Sequence, residues 1–185
     1  MPYIMKNLAA SIAAGAIVAA ALIFGSGCGG LPPLPGLPES AMFEYDVAPE
    51  LVPEFDAAAA RILEASGLEL RNVTGGTPLT RVDEARADTC GDTVIVRWEG
   101  PDGVEAVKSV EITVFAWQPG CAGAADTVAH ELIHSLRRYV PGDGNHGHTA
   151  SGLFHRYAGN GRLDEVSLAA ICDAAPCTRF NPEAR

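Results

Sequence analysis

"HELIHSLRRYVPGDGNHGH", residues 130–148, opens as a helix and closes as a turn rich in Gly. His130 and His134 stand four residues apart, so on a helix both imidazoles project from one face and can reach a single ion, with Glu131 slightly to the side. The surrounding pattern supports the helix. Ala125, Val128, Ala129, Leu132, Ile133 and Leu136 form an apolar face, while Thr127, His130, Glu131, His134 and Arg138 share a polar one. This predicts a helix from about Ala124 to Tyr139, ending before Pro141-Gly142, with its polar face turned to a cleft or to solvent.

Those residue types in that spacing fit metal-assisted hydrolysis. Two neutral imidazoles hold Zn²⁺ without cancelling its charge, and a neighbouring carboxylate can take a proton from an activated water. Glu131 is the candidate general base. All five His of the chain fall between 130 and 155, which favours a shared site over scattered surface residues. A three-ligand site needs one more donor, and several candidates compete. His146 or His148 returns over the helix through the turn "PGDGNHGH". Glu165 would serve as in thermolysin-like enzymes, but the apolar stripe Leu163, Val166, Ala170 turns it toward water. His155 and Asp143 have suitable chemistry on less economical paths. Tyr139 and Tyr157 are near in sequence, though a buried Tyr with a satisfied hydroxyl is the commoner case.

The rest of the chain frames one domain. With 185 residues there is room for one ordinary core. A formal charge of −10 with no basic run excludes nucleic acid as a partner. Lys6 followed by the 17-residue apolar run Leu8 to Phe24 and "GSGC" reads as an export signal over residues 1–27, with a retained membrane anchor as its alternative. "GSGC" resembles the lipobox of bacterial lipoproteins, with Gly25 where Leu is usual. The resemblance implies lipidation of Cys28 and a chain held to a membrane in the cell envelope, or secreted if Cys28 carries no lipid. "GGLPPLPGLPES" then reads as a tether covering residues 28–44, and residues 45–185 as the folded domain. Setting Cys28 aside leaves Cys90, Cys121, Cys172 and Cys177, an even set suited to two disulfides outside the cytoplasm. Three connectivities are open, of which Cys90 with Cys121 and Cys172 with Cys177 join nearest neighbours.

The order of elements predicts an α+β domain. "PEFDAAAARILEASG" reads as a helix with a stripe through Phe55, Ala59, Ile62 and Leu63 and a stop at Gly67. "LELRNVT" reads as a strand, "TVIVRWEG" and "AVKSVEITVFAW" as an antiparallel pair around "PDG", and about Leu163 to Cys172 as a last helix.

On these residues the chain resembles the metzincin clan of zinc peptidases, matrixin-like members in particular. "HELIHSL" is similar to their active-site helix, "VEITVFAW" to the edge strand that receives a substrate peptide, "SGLF" at 151–154 to the Met-turn, and "LDEVSLAAIC" to their terminal helix. The resemblance implies a small, mostly antiparallel or mixed sheet packed on an active-site helix and a C-terminal helix. It implies a zinc endopeptidase with Zn²⁺ as cofactor and a peptide or protein as substrate; the chain is expected to be a monomer. Arg137 stands where the family has Gly, and Val140 where its third ligand falls. The helix is therefore expected to run on, and the longer loop to supply the ligand. Family-like spacing to the turn implies His148, with His146 as the alternative and otherwise a substrate contact or fourth ligand. Leu153 replaces Met as the apolar floor, and His155 is placed to donate to an oxyanion. A different class of function remains open: a surface lipoprotein that keeps the fold and a structural zinc and binds a partner without cleaving it.

Overall fold

Helix α1, Val52–Ser66, forms where Pro53 fixes the first turn and a run of Ala, Ile, Leu and Glu sustains it. It stops at Gly67, whose φ of 75° lets its N–H close on the Leu63 carbonyl at 2.9 Å. In the computed structural model, residues 43–87, 89–99, 105–138, 148, 151–154 and 161–182 are described. The export segment, Cys28 and most of the tether lie outside them, as do Tyr139, Asp143, His146, His155 and Tyr157. The first strand, β1, runs Glu44–Val47.

The described residues form a mixed α+β fold with a five-stranded sheet and three α-helices. After β1 and α1 come β2 (Arg71–Asn72), β3 (Thr77–Val82), β4 (Gly91–Glu99) and β5 (Glu105–Phe115). Helix α2 spans Ala124–Leu136 and α3 spans Glu165–Ala174. The sheet order is β2-β1-β3-β5-β4. β1 pairs parallel with β2 and β3, β3 pairs parallel with β5, and β4 pairs antiparallel with β5.

Several expectations change here. The sheet is mixed, one of the two expected forms, but three of its four strand pairs are parallel; α1 carries the chain across between β1 and β2 and so returns it in the same direction there. β5 is an interior strand with neighbours on both sides, and β4 is the edge strand beside it. The register makes the reason visible: Leu79 of β3 lies opposite Ile112 of β5, a pairing far apart in sequence. "LELRNVT" contributes only the two paired residues of β2. Leu63 is exposed, and α1 instead buries Phe55, Ala58, Ile62, Ala65 and Ser66. Val166 is likewise exposed, because α3 starts at Glu165 and buries Ser167, Leu168, Ala170 and Ile171.

One hydrophobic cluster joins the inward positions of the sheet to all three helices. Tyr45, Leu79, Ile112 and Val114 meet Phe55, Ile62, Val128, Leu132 and Ile171 there. Each fully buried Leu, Ile or Phe contributes about 1.5–3 kcal/mol relative to exposure. The outward positions Val82, Val94, Val96 and Trp98 are exposed, which assigns the helices to one face of the sheet. Two disulfides, Cys90–Cys121 and Cys172–Cys177, close the nearest-neighbour pairs. The first joins the entry of β4 to the segment leading into α2.

Tyr45 locks the sheet to α2. Its ring lies 5.6 Å from that of Phe55, and its hydroxyl is 2.7 Å from Ser135 Oγ. Ser135 gives its own proton to the Leu132 carbonyl at 2.8 Å, so Tyr45 is the donor to Ser135. Tyr45→Phe should lower stability by about 0.5–1.5 kcal/mol. A denaturant midpoint that falls with an unchanged slope is the expected reading; an unchanged midpoint contradicts the assignment.

Candidate metal centre

Helix α2 brings His130 and His134 to one face, as their spacing predicts. The face itself differs from expectation. Thr127, His130, Glu131 and Arg138 are all buried, and His134 is half-buried, because β4 and the segment 151–154 pack over the polar side. The helix also ends at Leu136, with Arg137 as its cap, and does not run on.

His148 completes a cluster with the two helical imidazoles. Its Nε2 lies 3.2 Å from Nε2 of His130 and 3.2 Å from Nε2 of His134. One imidazole N–H can serve only one of two such acceptors, so mutual hydrogen bonding does not account for the trio. Tetrahedral coordination at a metal–nitrogen distance of about 2.0–2.1 Å separates ligand nitrogens by about 3.3 Å. The spacing of the three rings fits that figure. The three His can hold one metal ion, and Glu131 is not a member of the cluster.

The tautomers agree with this. His130 Nδ1 lies 2.9 Å from the Leu153 carbonyl, which can only accept, so Nδ1 carries the proton and Nε2 presents its lone pair to the cluster. Burial, then the charges of His130, His148 and Arg137, lowers the pKa of His134 to about 2. The shift favours the neutral form of His134, the form in which it ligates.

Leu153, the expected apolar floor, is fully buried and its carbonyl orients His130, and Phe154 adds a ring against the cluster. Ring centroids of His130, His134 and His148 lie 5.5, 4.7 and 5.6 Å from that of Phe154. Arg137 stacks its guanidinium over the same Phe154 at 5.6 Å and donates to the Ala170 carbonyl at 2.5 Å. Arg137 therefore joins α2 to α3 beneath the site.

The turn is held from α3. Asp164 caps that helix by accepting from Ser167 N–H at 2.9 Å, and accepts from the Ser151 hydroxyl at 2.7 Å. Ser167 Oγ in turn accepts from Phe154 N–H at 3.0 Å, and Leu153 N–H donates to the Arg162 carbonyl at 2.6 Å. Gly152 has φ of 74°, and a Cβ there would overlap the Asp164 carboxylate. Glu165 is exposed at the start of α3 and takes no part in the cluster.

Glu131 is buried, with Oε2 2.6 Å from the Thr93 hydroxyl of β4. Burial pushes its carboxyl up to about 8; the Thr93 hydrogen bond works the other way, and the Asp92 charge adds to the rise. A bound cation would favour the ionised form. Thr93, Gly91 and Phe154 were not legible as site residues. Gly91 alone carried a signal, since a Gly opening a β-branched strand marks a close approach.

No family model matches this chain, and no curated protein and no solved structure matches it.

Two measurements test the centre. Native mass spectrometry of the metal-loaded chain should read one ion per molecule, lost in His148→Ala and kept in His146→Ala; retention in His148→Ala contradicts the three-His cluster. For Asp164, partial burial pushes the carboxyl up, but hydrogen bonds from Ser167 and Ser151 outweigh it and hold the carboxyl below its ordinary value. Its stabilising contribution is present above the unfolded value of about 3.9 and is lost as pH falls through the folded one. Asp164→Asn should therefore melt below wild type at pH 7, with the deficit shrinking in acid. A deficit independent of pH overturns this.

Proposed function

We propose that this chain is an exported zinc-dependent endopeptidase of the matrixin-like metzincin type. The observation that carries the proposal is the convergence of three imidazole nitrogens next to a buried carboxylate that does not belong to the cluster. Three nitrogen donors suit zinc, and three protein ligands leave a coordination position open. Zinc bound by neutral imidazoles supplies a Lewis acid that polarises a carbonyl and acidifies water.

The chain's own groups do the rest. Glu131 is the general base: it takes the proton of the attacking water and can return it to the departing amine. The Leu153 carbonyl keeps His130 in the ligating tautomer. β4 has no strand on its outer side among the described residues, so an extended peptide can pair there by backbone hydrogen bonds. This role moves to β4 from the segment Val110 to Trp117, where the sequence had suggested it.

Two disulfides fit an oxidising compartment. No described helix is long and apolar enough to cross a membrane. Export by the signal at residues 1–27 and attachment through lipid on Cys28 belong to the same proposal.

The test is Glu131→Gln, assayed on fluorogenic peptides and denatured casein with metal content measured in parallel. The expected result is one zinc retained and hydrolysis reduced at least about 100-fold. Hydrolysis at the wild-type rate sinks the catalytic assignment. A zinc-loaded wild type with no hydrolysis would leave the alternative, a surface lipoprotein that binds a partner over a structural metal.

A further inference from the structure

The geometry points to Thr93, on the edge strand β4, as a positioning residue that fixes the Glu131 carboxylate, with Gly91 clearing the room this placement needs. The inference rests on the peptidase reading and adds to it a link between the base and the proposed substrate-pairing strand.

Two independent contacts bracket the carboxylate. Thr93 Oγ1 lies 2.6 Å from Glu131 Oε2 and 3.2 Å from the Glu131 carbonyl oxygen. The hydroxyl has one proton, and the shorter, charge-assisted contact takes it when the carboxylate is ionised. On the other side stands Gly91. A Cβ added there would lie 2.7 Å from Glu131 Cγ and 2.8 Å from Oε1, so a side chain at 91 would force the Glu131 side chain to shift. Gly91 and Thr93 are two residues apart and so share one face of the strand.

The support is itself held. Thr93 pairs with the fully buried Ile112 of β5, and its β-branched side chain has few rotamers. Cys90, immediately before Gly91, is tied to Cys121 ahead of α2, and its carbonyl accepts from Phe115 N–H at 3.0 Å. Glu131, by contrast, is long and has several rotamers of its own. With its helix on one side and Thr93 on the other, the carboxylate is held from two elements, which favours proton transfer to a water in a defined position. Thr93 acts through Glu131 and is not a metal ligand, so its loss should alter turnover without altering metal content.

The experiment uses the full chain with Thr93→Val, Thr93→Ser and Gly91→Ala, followed by zinc content, thermal unfolding, and kcat and KM on one peptide. A second readout needs no turnover. In metal-free chain labelled with ¹³Cδ-glutamate and kept alkaline enough to ionise Glu131, the resonance lost in Glu131→Gln belongs to Glu131. Thr93→Val should keep one zinc, leave KM within about twofold and lower kcat about 10- to 100-fold, while shifting the Glu131 resonance. Thr93→Ser should restore both. Gly91→Ala should shift the resonance with Thr93 intact. An unmoved resonance in Thr93→Val, or an unchanged kcat in an active wild type, overturns the inference. If wild type hydrolyses nothing while the resonance responds to Val and not to Ser, the positioning stands and the peptidase reading falls.

Discussion

The hydrogen bond from His130 Nδ1 to the Leu153 carbonyl, 2.9 Å long, joins the two halves of the site. One half is α2, a helix buried on both its apolar and its polar sides. The other is the short segment 151–154, whose position comes from α3 through Asp164, Ser167 and Arg162. Without that bond the imidazole could flip or change tautomer, and the lone pair that faces His148 would be lost. The cluster therefore depends on helix-to-turn packing as much as on the three rings.

Burial is the condition that gives these groups their chemistry. It lowers His134, raises Glu131, and removes water from the hydrogen bonds that orient them. It also gives the long side chain of Arg137 a place at the end of α2. Its guanidinium is placed between Phe154 and the Ala170 carbonyl of α3, so a long cation becomes part of the floor.

Local pattern made α1, α2 and the β4–β5 hairpin legible, since each is long and bounded by Gly or Pro. β1 and β3 went unseen: "EYDV" and "TPLTRV" are short, and only their parallel neighbours make them strands. The same blindness put the sheet edge at β5, because strand order follows from β3 lying beside Ile112 and not from anything in β5 itself. His130, Glu131 and His134 were readable from helical periodicity. His148 over His146 rested on resemblance, and the cluster contains His148. Thr93 and Phe154 carry no local signal, for their contacts are made by tertiary packing alone.

The two disulfides differ in what they enclose. Cys172–Cys177 spans 5 residues and secures only the end of α3, whereas Cys90–Cys121 spans 31 and encircles the whole β4–β5 hairpin. In the chain-entropy account a larger closed loop removes more freedom from the unfolded chain, by about 1.6 kcal/mol for this difference in length. The larger covalent ring thus belongs to the strand with the free edge. Its cost in lost freedom falls on the unfolded chain, and the strand that is outermost among the described residues gains constraint.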